Sequence, residues 1–465
     1  MTSRRTVLTG LAGLAATGTL VGAPSALSPA AAATATVPAP AVDPSARPGQ
    51  GGSRRPLVIG HRGASGYRPE HTLASYELAA RLGADFMEPD LVPTKDGILV
   101  CRHEPEIGGT TDVADHPEFA ARKKTVSLDG QSVTGWFTED FTLAELKTLR
   151  AKERLPQVRQ RNTLWDGMFE IPTFQEMLDL RARLVRELRR PLGVYPETKH
   201  PTYFQKAGLP LEQRLLDILR RNGLNTHDAP VFVQSFEVTN LQQLRALGLR
   251  APAIQLLSAT GSPYDSVAKG SGPTYADLVT PAGLAGVAKY AQGIGPDKGM
   301  IIPRAADESL TTPTALVKDA HTASLLVHPY TFRAENTFLP KDDRVGTVAT
   351  DYGRAVEEQL TFLATGIDGL FTDQADIGVY ARDRFLARTH SCRTAGPAPG
   401  TVGDEVVSDR PRRGADANRC RDGDHVRRDN RRRRPAAEQK INSPNRSAPR
   451  AAGAEPAARR LRSCR

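Results

Sequence analysis

The chain has 465 residues, of which 62 are Lys or Arg and 52 are Asp or Glu, for a formal net charge of +10. No apolar run reaches the roughly 18 residues that a membrane-spanning helix needs, and four cysteines are too few for a disulfide-stapled scaffold. A polytopic membrane protein and a small disulfide-rich domain are thereby excluded, which leaves one large catalytic domain or two smaller ones.

The N-terminal segment has the layout of an export signal. Arg4 and Arg5 precede a Gly-, Ala- and Leu-rich stretch, and a run of small residues follows. A basic start, a short apolar middle and a small-residue exit are typical of a secretory signal, and the paired arginines resemble a twin-arginine signal. We therefore predict a signal peptide over residues 1–35, a linker over residues 36–55, and a protein that is secreted by the twin-arginine route.

Between residues 56 and 390 short β-rich runs alternate with helical stretches. The predicted strands are Leu57–Gly60, Phe86–Val92, Ile98–Arg102, Leu192–Pro196, Val231–Ser235, Ile254–Leu257, Gly293–Gly295, Leu325–His328 and Asp368–Thr372. The predicted helices are Thr72–Leu82, Leu143–Arg150, Thr173–Arg190, Leu211–Asn222, Val238–Leu247 and Asp351–Thr365. Repeated β then α, about eight strands and no GxGxxG turn favour an α/β fold of the (β/α)8 TIM-barrel type. Nine strand candidates stand for eight places, so one of them is wrong or lies outside the barrel.

Two segments depart from this alternation. Residues 105–170 are polar, show little β pattern and are predicted to be an insertion. The tail, residues 391–465, has no Phe, Tyr or Trp and holds 19 Lys and Arg against nine Asp and Glu, which accounts for the whole formal charge of the chain. Such a composition cannot offset the entropy of ordering, so we predict a disordered Arg-rich tail. The tail is solvated, contacts an anionic cell wall or nucleic acid, or stems from a frameshift. Its charge gives no reason to call the core a nucleic-acid binder.

Polar side chains stand where several predicted strands end, which is where TIM barrels carry their catalytic residues. Glu88 and Asp90 are two apart in a strand and therefore point to one face, and Glu197 from another strand would add a third carboxylate. Three carboxylates without clustered Cys or His indicate a hard-cation site for Ca²⁺ or Mg²⁺. The alternative is a pair of carboxylates at a solvated barrel rim.

Two histidines flank the carboxylate strand. His61 follows the first predicted strand and His103 follows the third. One neutral and one protonated imidazole can perform general acid–base catalysis near pH 7, although a lone histidine at a strand end is more often structural. Arg62 and Lys199 add positive charge that suits an anionic phosphoryl group. These residues together indicate metal-assisted phosphoester chemistry in a barrel.

The order and spacing of these motifs resemble the glycerophosphodiester phosphodiesterases, with the bacterial periplasmic branch as the nearest likeness. The similarity extends from about Leu57 to Tyr380. The motifs that carry it are His61-Arg62-Gly63, Pro69-Glu70-His71-Thr72, Glu88-Pro89-Asp90, Lys95-Asp96-Gly97, His103, Tyr195-Pro196-Glu197-Thr198-Lys199, His328-Pro329-Tyr330 and Phe371-Thr372-Asp373. Position 104 is Glu where the family commonly has Asp.

The resemblance implies a TIM barrel of the phospholipase-C-like phosphodiesterase type, with an insertion after the second catalytic histidine. It implies that glycerophosphodiesters are cleaved to sn-glycerol 3-phosphate and an alcohol. It assigns acid–base catalysis to His61 and His103, metal binding to Glu88, Asp90 and Glu197 with Ca²⁺ as the usual ion, phosphate contacts to Arg62 and Lys199, and glycerol contacts to Tyr330 and Phe371. Which histidine starts as the base stays open.

Three other readings of the same site also stay open. The enzyme would hydrolyse the glycerol-phosphate polymers of cell-wall teichoic acid, or it would be a phospholipase C or D on the same fold. The third reading is a catalytically inactive surface binding protein. A comparison of small diesters, wall polymer and intact phospholipid as substrates distinguishes all of them.

Overall fold

The computed structural model describes residues 55–394, so the expectations for the signal peptide, the linker and nearly all of the tail lie outside the described residues. The strands are β1 (Leu57–Gly60), β2 (Phe86–Met87), β3 (Asp90–Pro93), β4 (Leu99–Cys101), β5 (Lys124–Leu128), β6 (Gln131–Gly135), β7 (Gly193–Val194), β8 (Glu197–Thr198), β9 (Val233–Ser235), β10 (Ala253–Leu257), β11 (Gly293–Pro296), β12 (Leu326–Val327) and β13 (Gly369–Thr372). The helices are α1 (Leu73–Arg81), α2 (Leu143–Leu146), α3 (Phe174–Leu188), α4 (Pro201–Lys206), α5 (Glu212–Arg221), α6 (Val238–Ala246), α7 (Tyr264–Lys269), α8 (Tyr275–Leu278), α9 (Pro281–Val287), α10 (Leu316–Thr322), α11 (Ala355–Leu363) and α12 (Ala375–Thr394).

Eight parallel strand positions close into a barrel, as predicted. β2 and β3 share the second position and β7 and β8 share the third, and each later position is held by one strand. β1 pairs in parallel with both β2 and β13. The ring is completed between β12 and β13, where the amide of Asp368 donates to the carbonyl oxygen of Val327 at 2.9 Å. The carboxyl ends of all eight positions therefore meet at one rim.

The ninth strand candidate, Ile98–Arg102, is the one outside the barrel. It forms β4, which runs antiparallel to β3 with Leu91 opposite Cys101. The segment Lys95-Asp96-Gly97 connects the two strands as a tight turn, and Gly97 has a φ of +79°. β4 therefore leads the chain back from above the rim towards the start of β3. The third barrel position is held by a later segment of the chain, which contains β7 and β8.

The barrel interior is filled by side chains. Seven buried residues, one from each of seven strand positions, pack against one another: Ile59, Phe86, Tyr195, Phe232, Ile254, Leu326 and Phe371. Gly193 is required beside them, because a Cβ there would lie 2.1 Å from a ring carbon of Phe86. Outside the sheet the helices bury their apolar faces, as in α3, where Thr173 and Glu176 form a capping box and Phe174 and Met177 are buried. This rigid interior supports the polar rim above it.

The insertion contains more β-structure than the sequence indicated. β5 and β6 form an antiparallel hairpin that pairs with no other strand of the described chain, and the predicted helix over 143–150 is only the single turn of α2. The hairpin was missed because half of its ten residues are exposed and only Val126, Leu128 and Val133 are large apolar residues, which leaves a weak β pattern. α12 ends at Thr394, four residues beyond the predicted end of the barrel. Within residues 55–394 no helix has both the length and the apolar character for a membrane crossing.

Candidate active site

The three predicted metal ligands meet at the rim. Glu88 lies in the break between β2 and β3, and Asp90 starts β3 directly opposite Glu197 of β8. All three are at least 95% buried, and each offers a carboxylate oxygen within 4.8 Å of those of the other two. The strand register thus places three carboxylates from two adjacent barrel positions at one level.

The electrostatics of this cluster favour a cation. Burial and the charges of Asp90 and Glu197 raise the pKa of Glu88 well above its ordinary value, and burial raises the pKa of Glu197 to about 7. Burial also opposes ionisation of Asp90, but the imidazole of His71, 2.8 Å away, helps to hold its pKa well below 3.8. Oδ1 of Asp90 is buried without a hydrogen-bond partner. Buried oxygen donors that repel one another suit a hard divalent ion.

His61 lies at the end of β1, with a carboxylate behind its ring. Its Nδ1 donates to Oδ1 of Asp373 at 2.5 Å, and its Nε2 lies 3.9 Å from Oε2 of Glu88. The other oxygen of Asp373 accepts from Arg159 at 2.5 Å and from Arg333 at 2.9 Å. Burial and the charge of Arg62 lower the pKa of His61 to about 4, so the free imidazole is neutral at physiological pH.

His103 reaches the site from β4, and the predicted location at the end of a parallel strand was wrong. Its Nδ1 lies 2.6 Å from Oε1 of Glu104, and its Nε2 accepts from the ammonium of Lys199 at 3.3 Å. Burial and the charges of Arg62 and Lys199 lower the pKa of His103 to about 3. The antiparallel strand brings this histidine back to the level of Asp90, whose carbonyl oxygen accepts from the amide of Arg102.

The two predicted phosphate-binding cations are tied to the carboxylates. The backbone amide of Arg62 donates to Glu88 at 3.0 Å, and its guanidinium donates to Glu70 at 2.9 Å. Its Nε is buried without a hydrogen-bond partner and lies 3.5 Å from Asp90. Lys199 donates to Glu197 at 2.8 Å. Both cations therefore lie close enough to the three carboxylates to offset part of their negative charge.

Eight of the nine predicted site residues line a single cavity of about 480 Å³: His61, Arg62, Glu88, Asp90, His103, Glu197, Tyr330 and Phe371. Lys199 lines the neighbouring cavity. The hydroxyl of Tyr330 donates to the carbonyl oxygen of Leu257 at 3.0 Å, and the ring of Phe371 packs edge-on against that of Tyr195. These two rings therefore give the cavity an apolar wall.

Several residues that shape the site were not among the predicted set. Asp373 directly follows the last strand, a position that could have marked it. Gln234 is the middle residue of β9 and donates to Glu88 at 2.8 Å. Arg154 and Arg159 come from the insertion and bind Glu70 and Asp373. No local pattern in the sequence distinguishes these two arginines from the other polar residues around them.

A family model described as the glycerophosphoryl diester phosphodiesterase family matches residues 61–377. The match starts at His61 and contains the described cavity. The chain belongs to the glycerophosphoryl diester phosphodiesterase family. The resemblance inferred from the motifs is thereby confirmed, while assignment to the bacterial periplasmic branch stays a prediction.

Relatives within this family come from different kingdoms. A glycerophosphodiester phosphodiesterase of Arabidopsis thaliana is 37% identical over 331 residues, which cover 69% of this chain and 84% of the relative. One from Haemophilus influenzae is 32% identical over 343 residues, which cover 70% of this chain and 88% of the relative. A solved structure of an Oleispira antarctica phosphodiesterase in complex with the product sn-glycerol-3-phosphate is 21% identical, with a TM-score of 0.46, and the match covers 70% of this chain and 97% of that one.

Proposed function

We propose that the chain is a secreted, metal-dependent hydrolase that cleaves glycerophosphodiesters to sn-glycerol 3-phosphate and an alcohol. The observation that supports this most directly is that two imidazoles, three carboxylates and a guanidinium line one cavity. A phosphodiester needs a base for the attacking hydroxyl, an acid for the departing alkoxide and positive charge for its oxygens. The cavity offers each of these groups.

His61 and His103 divide the proton transfers. Each directs Nδ1 to a carboxylate, so each carries its proton on Nδ1 and leaves Nε2 unprotonated; that of His103 accepts from Lys199 and is released to the substrate when Lys199 moves to the phosphate. One imidazole removes the proton of the attacking hydroxyl, and the other protonates the oxygen that leaves. Both imidazoles are neutral in the free site, as the base must be, and the negative charge of a bound phosphate raises the pKa of the one that must carry a proton.

Glu88, Asp90 and Glu197 hold the metal in this proposal. Ca²⁺ is the expected ion, and Mg²⁺ is compatible with the same oxygen donors. When bound, the ion neutralises charge on the phosphate oxygens. Arg62 lies against the same carboxylates and orients the non-bridging oxygens, and the hydrogen bond from Lys199 to Glu197 opposes the rise in the pKa of that carboxyl.

We also propose export by the twin-arginine route, supported by Arg4, Arg5 and the small-residue run behind them. The basic tail would then associate with the cell wall. Replacement of both arginines by Lys tests the route, because it keeps the charge and removes the motif; the protein should then stay inside the producing cell. Unchanged secretion of this variant would exclude the twin-arginine route.

A polymeric substrate is the second candidate function. The catalytic cavity is also lined by Lys298, Arg304 and Arg333. Lys298 and Arg304 share Glu358 and Arg333 pairs with Asp373, but a guanidinium has further N–H donors, and these suit a second phosphate in a glycerol-phosphate chain. Glycerol 3-phosphate released from wall teichoic acid, compared with that released from glycerophosphocholine, would rank the two substrates. A higher kcat/KM on the polymer would favour this candidate.

The primary test is release of sn-glycerol 3-phosphate from glycerophosphocholine by the full chain, with EDTA and then with Ca²⁺ or Mg²⁺ added back. We expect EDTA to abolish turnover and one ion to restore it. His61→Ala and His103→Ala should each lose at least about 10²-fold in kcat, while the control His321→Ala, at a surface pair with Asp368, keeps it. Near-normal turnover by either site variant would contradict its role.

A further inference from the structure

A chain of alternating charges extends from His103 away from the cavity. Oε1 of Glu104 lies 2.6 Å from Nδ1 of His103, and its Oε2 lies 3.0 Å from Nε2 of His200. Nδ1 of His200 in turn lies 2.7 Å from Oδ2 of Asp129. Four side chains from three separate segments are thus connected by three short contacts.

The chemistry of the partners fixes the protons along this chain. A carboxylate only accepts hydrogen bonds and an ammonium only donates them. His103 contacts a carboxylate at Nδ1 and the ammonium of Lys199 at Nε2, so its proton lies on Nδ1 and its lone pair on Nε2. His200 faces carboxylates at both nitrogens, so both are N–H donors and the ring is an imidazolium.

The charged groups around His200 agree with this assignment. Burial alone would lower its pKa, but hydrogen bonds from its ring to Asp129 and Glu104 outweigh burial and the repulsion of Lys199, and raise the pKa to about 9. Its side chain is 15% exposed. A cation of this kind, 3.0 Å from Oε2 of Glu104, holds that carboxylate aimed at His103.

The backbone presents Asp129 and His200 to each other. Asp129 and Gly130 have φ angles of +48° and +81° and connect β5 to β6, as the two left-handed residues of a tight hairpin turn. His200 also has a positive φ, +48°, and precedes the first residue of α4. Both residues belong to the types that accept this conformation most readily. The tip of the insertion hairpin therefore reaches the barrel rim at a defined point.

We propose that Asp129 and His200 are positioning residues for His103, acting through Glu104 to keep its ring oriented with Nδ1 protonated and Nε2 unprotonated. Because His103 is an acid–base group only if the proposed function holds, the catalytic part of this inference rests on that proposal. The insertion hairpin thereby contributes to the active site through His200 and Glu104, and its Asp129 does not line the catalytic cavity. Glu104, longer than the Asp common at this position in the family, reaches both histidines.

Asp129→Asn and His200→Gln, made in the full chain, test the relay on glycerophosphocholine with the metal present. Loss of an outer hydrogen-bond partner typically costs about 10–100-fold, so we expect that loss in kcat with KM changed less than about threefold. The basic limb of the pH profile should move to lower pH in Asp129→Asn, and Asp129→Glu should recover activity. His116→Gln is the control, since His116 lies in the same insertion and contacts Glu118 instead.

A second readout does not depend on turnover. Side-chain ¹⁵N spectra of the histidine-labelled chain report which ring nitrogen of His103 carries the proton. We expect a single Nδ1–H form in the wild type and a mixture in both variants. If the His103 signals are the same in wild type and variants, or if the kcat loss equals that of His116→Gln, the relay is excluded. If the wild type does not turn over glycerophosphocholine, but the His103 signals still differ between the wild type and the two variants, the proposed function is overturned and the relay stands.

Discussion

Replacement of Asp373 by Asn removes one negative charge behind His61 with little change in volume. The carboxylate is 1% exposed and accepts from His61, Arg159 and Arg333. Asn keeps a single acceptor oxygen. With that oxygen towards the two arginines, the amide NH₂ faces Nδ1 of His61, which must then accept. The proton moves to Nε2, and the nitrogen nearest Glu88 loses its lone pair.

The expected magnitude follows from this change of tautomer. The same exchange in a hydrolytic His–Asp pair costs about 10⁴-fold in kcat, so we expect a loss of about 10³- to 10⁴-fold, or about 4–5.5 kcal/mol in the barrier. Breaking a buried ion pair costs about 3–5 kcal/mol of stability. Arg159 keeps its second partner, Glu335 at 2.7 Å, so the stability loss should lie at the lower end.

The assay is turnover of glycerophosphocholine across pH, with urea unfolding of the same preparations. Asp376→Asn is the matched control, because Asp376 is also a carboxylate near the start of α12 but accepts only from the hydroxyl of Tyr67, at 2.9 Å. A folded Asp373→Asn enzyme with kcat within tenfold of wild type would refute the reasoning. So would an equal loss in the control.

Three further changes test other parts of the structure. Glu88→Gln should weaken the rise in melting temperature on Ca²⁺ addition, since a ligand of the folded state at 100 times its Kd adds about 2.7 kcal/mol; scanning fluorimetry with and without EDTA measures this. Gly63→Ala places a Cβ 2.6 Å from the carbonyl carbon of Ser75 at a φ of +88° and should lower the free energy of unfolding by about 1–3 kcal/mol. The hydrogen bond to Asp368 raises the pKa of His321. The pair therefore stabilises the folded protein fully at pH values below the pKa of His321 in the unfolded chain, and this stabilisation is lost as the pH rises through the higher pKa in the folded chain. His321→Gln should therefore lose more stability near about pH 5 than near about pH 9 in urea titrations.

The sequence could predict the cavity because the relevant residues stand at strand ends. Glu88, Asp90 and Glu197 each follow or interrupt an apolar run, and parallel strands bring such positions to one rim regardless of the intervening residues. Their burial in the structure excludes the alternative that the sequence left open, which was a pair of carboxylates at a solvated barrel rim. Their shared level follows from register, which the period of two in a strand already constrains.

The supporting residues could not be predicted in the same way. β-propensity does not encode strand direction, so the antiparallel return that delivers His103 was read as another barrel strand. The contact of Arg159 with Asp373 spans 214 residues, and that of His200 with Asp129 spans 71. Such pairs depend on how loops cross the rim, and a polar loop residue has many partners of equal chemistry.

Because the first and last barrel strands pair with each other, the protein can become active only after its last strand has been synthesised. β1 pairs with β13, and His61 receives its carboxylate from a residue 312 positions later. At about 5–20 residues per second of synthesis, tens of seconds separate the appearance of the two halves. A nascent or truncated chain therefore carries a histidine without its partner, and the barrel has an open edge until β13 arrives. Hydrolytic activity thus reports complete folding of residues 57–373, and a C-terminal truncation before β13 should leave an inactive chain.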